Sequence, residues 1–426
     1  MAPLLTLLKS AVVFRLAHAH ADAGDHHDEE SLSAVSNWGW SAMAGLPHEA
    51  SDLTATYVGD STIILAGGCV SHQVSCDWYE FCTFCPAISN RAFAFDASSD
   101  SFEELATMPV SRYRHAAAFS GGEVFLVGGR DVDDGVVGTV DAYSVAGKTW
   151  RSVSASGGWA PTSDLNAFAY GGFVYVYGGY DLNYETAATA GARFSTNDFG
   201  VFTADVPSLT QGRGDFGLVV VGAFAVAAGG WHEGDWCIPL ASTETLDLST
   251  AGAEWQPSNS LVIGRGDVAA VTDGEHSVVL GGEHNNGCAT ASVPVSDVEM
   301  RLGSAWTQIG HIPEQKMRLA AAAVGDDLYV FGGQASAEST CAGFEFCYPV
   351  TNHTWHFNLH EATSSSSKSN RFKHTADLAA GLAAACVAIA LCACAGVFFL
   401  LRRSGKHGEE ETGLTRETSA HGLHDV

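Results

Sequence analysis

Eight cysteines lie ahead of a long apolar segment near the C-terminus: Cys69, Cys76, Cys82, Cys85, Cys237, Cys288, Cys341 and Cys347. An even set of this size fits disulfide chemistry in an oxidising compartment. Zinc would need a second Cys or His pair to match Cys82-x-x-Cys85, and none stands at the required spacing, so neither metal nor cofactor is expected. Two Arg-Gly-Asp triplets, Arg213-Gly214-Asp215 and Arg265-Gly266-Asp267, raise adhesion of the integrin-ligand kind. Asp131, Asp133 and Asp134 before Gly135 raise calcium, but their spacing departs from an EF-hand loop and an acidic turn accounts for them. His18, His20, His26 and His27 interleave with acidic residues, where nothing fixes a coordination geometry. No Ser-His-Asp pattern, phosphate loop or HExxH is present, so no catalytic residue is assigned.

What must position these groups follows from composition and periodicity. The 426 residues hold 21 Lys plus Arg against 48 Asp plus Glu, a net charge of -27, which excludes a sequence-independent grip on nucleic acid. With 16 % charged residues, 46 % hydrophobic and 47 glycines, the chain is too apolar for disorder and too glycine-rich for a helical bundle. Glycine pairs recur at Gly67-Gly68, Gly128-Gly129, Gly178-Gly179, Gly229-Gly230, Gly281-Gly282 and Gly332-Gly333, at intervals of 61, 50, 51, 52 and 51 residues. Such a period marks an internal repeat. Short β-branched or aromatic runs precede the pairs, as in Val124-Phe125-Leu126-Val127, and read as strands buried on both faces. Turn pairs such as Gly121-Gly122 and Gly171-Gly172 close a hairpin ahead of each run. An aromatic follows at a nearly fixed offset: Phe102, Trp150, Phe202, Trp255, Trp306 and Trp355, with Trp40 ahead of the first unit.

Four strands per unit, a double glycine after the second and an aromatic at the start of the fourth resemble the kelch repeat. Six units imply an all-β fold, a six-bladed kelch-type β-propeller over residues 38–360. Counting back 16 residues from each first glycine lands on Ser51, Arg112, Thr162, Arg213, Arg265 and Lys316, where kelch units usually carry Arg. There are seven aromatics for six fourth strands, so either Trp40 or Trp355 leads the strand that completes the last blade. Some kelch propellers are copper-radical oxidases or sugar mutarotases. The Tyr and His set that the oxidases need does not recur here, and His115, His232 and His284 stand on separate loops.

All the length variation and all eight cysteines fall in or beside the loops joining second to third strands, which makes that face the functional candidate. Cys76 and Cys82 stand at the same offsets from their glycine pair as Cys341 and Cys347 from theirs. The expected bridges are Cys76 with Cys82, Cys341 with Cys347, Cys237 with Cys288 and, by elimination, Cys69 with Cys85. Both Arg-Gly-Asp arginines occupy the kelch Arg position, so the repeat explains them without adhesion. Arg112, Arg213, Arg265 and Lys316, with Arg114 and Arg318 two residues on, form an expected cationic ring at the mouth, rimmed by Trp78, Trp231 and Trp236. Such a ring would take a carboxylate-bearing peptide or an acidic glycan. The competing reading is that the kelch arginines pair with nearby carboxylates such as Asp164, Asp215 and Asp267.

The ends of the chain set an expected topology. Residues 1–21 resemble a secretory signal ending in Ala-x-Ala choices, with an organelle-targeting peptide as the alternative. Residues 22–37 are an acidic, His-rich linker and 361–377 a Ser-rich spacer. Leu378 to Leu401 is free of charge and at about 1.5 Å per residue crosses a bilayer as a helix. It contains Cys386, Cys392 and Cys394, and Gly381, Ala385 and Gly396 give it a small-residue face suited to helix pairing and so to a homo-oligomer. Residues 402–426 would be cytosolic and the propeller extracellular or lumenal, a single-pass type I arrangement in the plasma membrane or an endomembrane. Asn352-His353-Thr354 is an N-glycosylation acceptor compatible with that compartment. The expected function is a receptor or adhesion module, with a carbohydrate-active enzyme or a structural surface protein as alternatives.

Overall fold

Each glycine pair ends a strand with no polar face to show to water, and six such strands set the plan of the molecule. They are Thr62–Ala66, Glu123–Val127, Phe173–Tyr177, Phe224–Ala228, Ser277–Leu280 and Asp327–Phe331, buried along almost their whole length. The computed structural model describes residues 39–71, 73–74, 85–232, 237–285, 287, 293–336 and 347–360. Within them, each second strand pairs antiparallel with a first strand on its inner side and a third on its outer side. The six sheets are the blades of a propeller. The third blade is three-stranded, and Val201–Phe202, where its fourth strand would lie, joins it through the single bridge Arg193↔Thr203.

The strand that completes the last blade comes from the N-terminal side. Ser41–Ala42 pairs antiparallel with the third strand Thr354–Asn358, Ser41 opposite His356 and Ala42 opposite Trp355. Trp40 therefore leads the closing strand, and Trp355 sits inside a third strand. The Trp40 indole stacks on Phe357 at 4.9 Å between ring centroids. A short ladder between two loops, Cys347↔Val74 and Tyr348↔Gln73, also joins the last blade to the first.

Hydrophobic packing runs around the ring. Six clusters each join one blade to the next: Ile64 and Leu126, Val127 and Val176, Tyr177 and Ala225, Val226 and Val279, Leu280 and Val330, Phe331 and Leu65 are pairs within them. A blade buries both faces only between two neighbours, so stability requires the closed ring. The glycine pairs permit this approach. A Cβ on Gly128 would overlap the Thr162 carbonyl of the next blade, and its φ of +65° is one that side chains rarely adopt.

The first hairpin departs from the repeat by one residue. A bulge between Tyr57 and Gly59 inserts Val58 into the first strand. Ala50, not Ser51, is thus the first-blade counterpart of Arg112: the Gly333 amide donates to the Ala50 carbonyl as the Gly68 amide donates to that of Arg112.

Among the described residues no helix is long and apolar enough to cross a membrane. The expected span Leu378 to Leu401, the signal and both linkers lie outside the described residues.

Candidate functional site

The kelch cations are structural clamps. Arg112, Arg213, Arg265 and Lys316 have no exposed surface. Their side chains donate to the carbonyl of the first glycine of their own pair: Gly128, Gly229, Gly281 and Gly332. Thr162 does the same to Gly178 through its hydroxyl. Each cation also meets a carboxylate, at 2.7 Å for Arg112 with Asp141, 2.8 Å for Arg213 with Glu244, 3.0 Å for Arg265 with Glu299 and 2.8 Å for Lys316 with Glu314. Glu244 and Glu299 accept in addition two backbone amides apiece from the loop entering their blade. Burial pulls all four cations below their usual pKa, with the paired carboxylates working against it. These four expected ligand-binding residues therefore do not reach the mouth. Asp164, Asp215 and Asp267 are not the partners of these four cations.

Those aspartates belong to a second ring nearer the axis. Asp52, Arg114, Asp164, Asp215, Asp267 and Arg318 come one from each blade, and all six have left-handed backbone, with φ between 51° and 59°. Five backbone bonds link neighbours around the axis, from the amide of Asp52 to Arg318, Arg114 to Asp52, Asp164 to Arg114, Asp215 to Asp164 and Arg318 to Asp267. Left-handed Arg is unfavourable by about 1–2 kcal/mol, so the closed ring must impose it at Arg114 and Arg318.

The side chains close a ring of their own. Arg114 Nε lies 3.5 Å from Asp52 and 3.4 Å from Asp164, while Arg318 Nε lies 3.9 Å from Asp52 and 3.2 Å from Asp267. Asp215 completes the circuit by hydrogen-bonding to both Asp164 and Asp267, and Glu283 also bonds to Asp267. Carboxyl groups in contact must share protons. Burial and then neighbouring carboxylates push Asp215 and Glu283 well above the usual carboxylate range. Burial raises Asp52 as well, against the two guanidiniums. Asp267 goes the other way despite its burial, held down by Arg318, Glu283, Arg114 and Asp215. Asp215 and Glu283 are thus the proton donors and Asp267 an acceptor.

A partly open cavity of about 230 Å³ is lined by this ring and by the innermost strands, among them Ala55, Ala117, Ala167, Leu218, Ala270 and Ala321. Of the six cations expected at the mouth, only Arg114 and Arg318 line it, and four aspartates accompany them. Asp164 and Asp267 pair with Arg114 and Arg318 rather than with the kelch arginines. The signal that could have placed them is their common position two residues after the kelch site.

Cys69 and Cys85 form a disulfide, and Cys237 is disulfide-bonded. Cys76, Cys82, Cys288 and Cys341, with Trp78 and Trp236, lie outside the described residues, as does the side chain of Cys347. Trp231 is buried with Tyr180, Tyr184 and Ala187 and does not rim the mouth. Its indole covers Gly266, as Tyr180 covers Gly214, which accounts for the glycine of both Arg-Gly-Asp triplets. Asp131 accepts the amides of Asp133 and Gly135, closing the acidic turn on itself. His232 and His284 bond to the carbonyls of Gly212 and Gly264, and His115 is buried between blades, where burial and then Arg112 drive it well below the usual histidine range. Among the described residues no group of His, Cys, Asp and Glu is placed to hold a metal ion. Asn352 is exposed.

Comparison with known proteins agrees with this architecture. The kelch motif family matches residues 111–156, which contain the whole second blade. The solved structure of YjhT is similar with a TM-score of 0.57 and 13 % identity, covering 72 % of this chain and 95 % of that one. No curated protein matches the sequence.

Proposed function

As this chain is a kelch-repeat protein with a six-bladed propeller, we propose that the propeller is a receptor or adhesion module whose ligand, a protein or a glycan, binds at the axial mouth. The observation that carries the reading is the cavity inside the ring of Asp52, Arg114, Asp164, Asp215, Asp267 and Arg318. Pockets with a few convergent polar groups and perturbed carboxyls are the default location of ligand sites. The Cys69–Cys85 bond and the bonded Cys237 support an oxidising, lumenal or extracellular setting.

Strand direction supports presentation of the mouth. Third strands run from the loop-bearing face to the tight-turn face, so Asn358 leaves the propeller, and Ser41 enters it, on the tight-turn side.

Arrays of glycans and peptides probed with the full chain test this reading. Hits are expected to disappear with Arg318→Gln and with Asp164→Asn and to persist with Asp247→Asn on the tight-turn face. Hits that survive the ring substitutions would overturn it. Protease added outside sealed vesicles or cells tests the topology, and a propeller digested only from the cytosolic side would reverse it.

A second reading, a proton-transfer enzyme acting on a sugar, is favoured by one observation: Asp215 lines the cavity between Asp164 and Asp267, where burial and those two carboxyls push it well above the usual carboxylate range. Exchange rates between anomers of reducing sugars, measured by nuclear magnetic resonance with and without the chain, test it. Unchanged rates across the panel would remove this alternative.

A further inference from the structure

From the two tiers of the axial cavity we infer that it binds an organic cation, an alkylammonium or alkylguanidinium group, with the charged head among the ring carboxyls and the methylenes below them. The inference rests on the axial mouth being the ligand site, and it supplies the ligand's chemistry.

The upper tier is anionic in balance. Four carboxyl groups of the cavity wall, Asp52, Asp164, Asp215 and Asp267, face two guanidiniums, and Glu283 stands behind Asp267; each guanidinium is already held by protein partners. Arg114 is held by Asp52, Asp164 and the Tyr184 hydroxyl, and Arg318 by Asp52, Asp267 and Gln334. An acidic ligand would have to displace these carboxylates and leave them buried without partners. A cation instead replaces the protons that Asp215 and Glu283 hold against their carboxylate neighbours. The protein's net charge of -27 adds to the attraction.

Below the ring the wall is built mostly of small side chains, with Thr54, His115 and Asn166 also in the lining. Ala55, Ala117, Ala167, Leu218, Ala270 and Ala321 stand at one register of the six inner strands, each opposite the residue two places before its blade's first glycine. Five alanines and one leucine leave space where larger side chains would fill the axis. At about 30 Å³ per water, the 230 Å³ cavity exceeds what a bare ion requires and suits a short aliphatic chain.

Proton displacement gives the binding a sign. The groups facing Asp215 are Asp164, Asp267 and Arg114, and those facing Glu283 are Asp267, Arg318, Arg114 and Tyr348. Cation binding should therefore release protons and strengthen as pH rises, opposite to the trend expected for a carboxylate ligand.

Calorimetry on the full chain with n-hexylammonium, hexanol and hexanoate tests this. Hexylammonium is expected to bind one to one, at least tenfold more tightly than either control, and more tightly at pH 8 than at pH 5 with uptake of the released protons by buffer. Asp215→Asn is expected to weaken it about tenfold and flatten the pH dependence. Ala270→Leu enlarges a cavity-lining side chain that also packs against Gly217 of the neighbouring blade, and it is expected to weaken binding as much when measured well below the variant's own melting temperature. Binding of Gly-Lys-Gly at the same site would mark the natural source as a protein side chain, and hexylammonium binding without it would mark a free amine. Equal or tighter binding of hexanoate at the mouth would overturn the inference while keeping the mouth as a ligand site. No binding by hexylammonium, or binding indifferent to both substitutions, would overturn it outright.

Discussion

Arg213 Nη2 stands 2.8 Å from Glu244 Oε1, with both side chains out of contact with water. The pair joins the residue leading into a first strand to a third strand of the same blade. Removing one partner leaves the other charge buried and alone, which costs about 3–5 kcal/mol. Arg213→Ala should therefore lower the denaturation midpoint in urea sharply, and Arg213→Met with Glu244→Leu should restore most of it. A single variant within about 1 kcal/mol of the parent would contradict the clamp assignment.

Gly266 lies beneath the Trp231 indole, which leaves no room for a Cβ. Gly266→Ala is expected to destabilise by about 1–3 kcal/mol through overpacking. The double variant Gly266→Ala with Trp231→Leu should recover part of the loss. Failure of that recovery would place the cause elsewhere.

Closure of the ring depends on a two-residue strand and its tryptophan. Trp40→Ala removes the stack on Phe357 and should cost about 3–5 kcal/mol. Trp355→Ala, from a side chain only partly buried in a third strand, should cost less. Thermal melts of the two variants decide this, and the reverse order would speak against closure from the N-terminal side.

Cys69 and Cys85 are 16 residues apart, and their bond should contribute about 3 kcal/mol by restricting the unfolded chain. Peptide mapping without reduction should recover these two cysteines linked. Cys69→Ala with Cys85→Ala should lower the melting temperature without changing the fold seen by circular dichroism.

Asp215 carries its proton to higher pH in the folded protein than in the unfolded chain, because it is buried and lies between Asp164 and Asp267. The folded state binds the extra proton, so this contribution to stability is full below about pH 4 and is lost as pH rises through the folded value. Glu283 acts in the same direction. His115 opposes them: kept neutral by burial, it withdraws stability as pH falls below about 6.5. Melting temperatures from pH 4 to 8 should show Asp215→Asn gaining on the parent as pH rises. Parallel curves would mean that Asp215 does not hold the shared proton.

The repeat was legible in the chain because its signals are local. A glycine pair such as Gly128-Gly129, the apolar run before it and the turn Gly121-Gly122 opposite each report backbone geometry that only certain residues tolerate. The pairing of Cys69 with Cys85 was reached by elimination, after the repeat register had been used to match the other six cysteines. The one-residue error at Ser51 has a physical origin. Val58 bulges out of the first hairpin without changing its composition, so a count along the chain slips where the ladder does not.

The sequence by itself determined the number of blades, the residues that end each strand and the presence of a cation before the first strands of four blades. It could not decide what each cation touches, because Arg213 and Asp215 are two residues apart yet serve different partners. Arg213 turns into its own blade toward Glu244, whereas Asp215 meets Asp164 and Asp267 from the blades on either side. Contacts across the axis exist only once six blades close into a circle, and that closure, completed by Ser41–Ala42 on Thr354–Asn358, joins residues more than 300 positions apart.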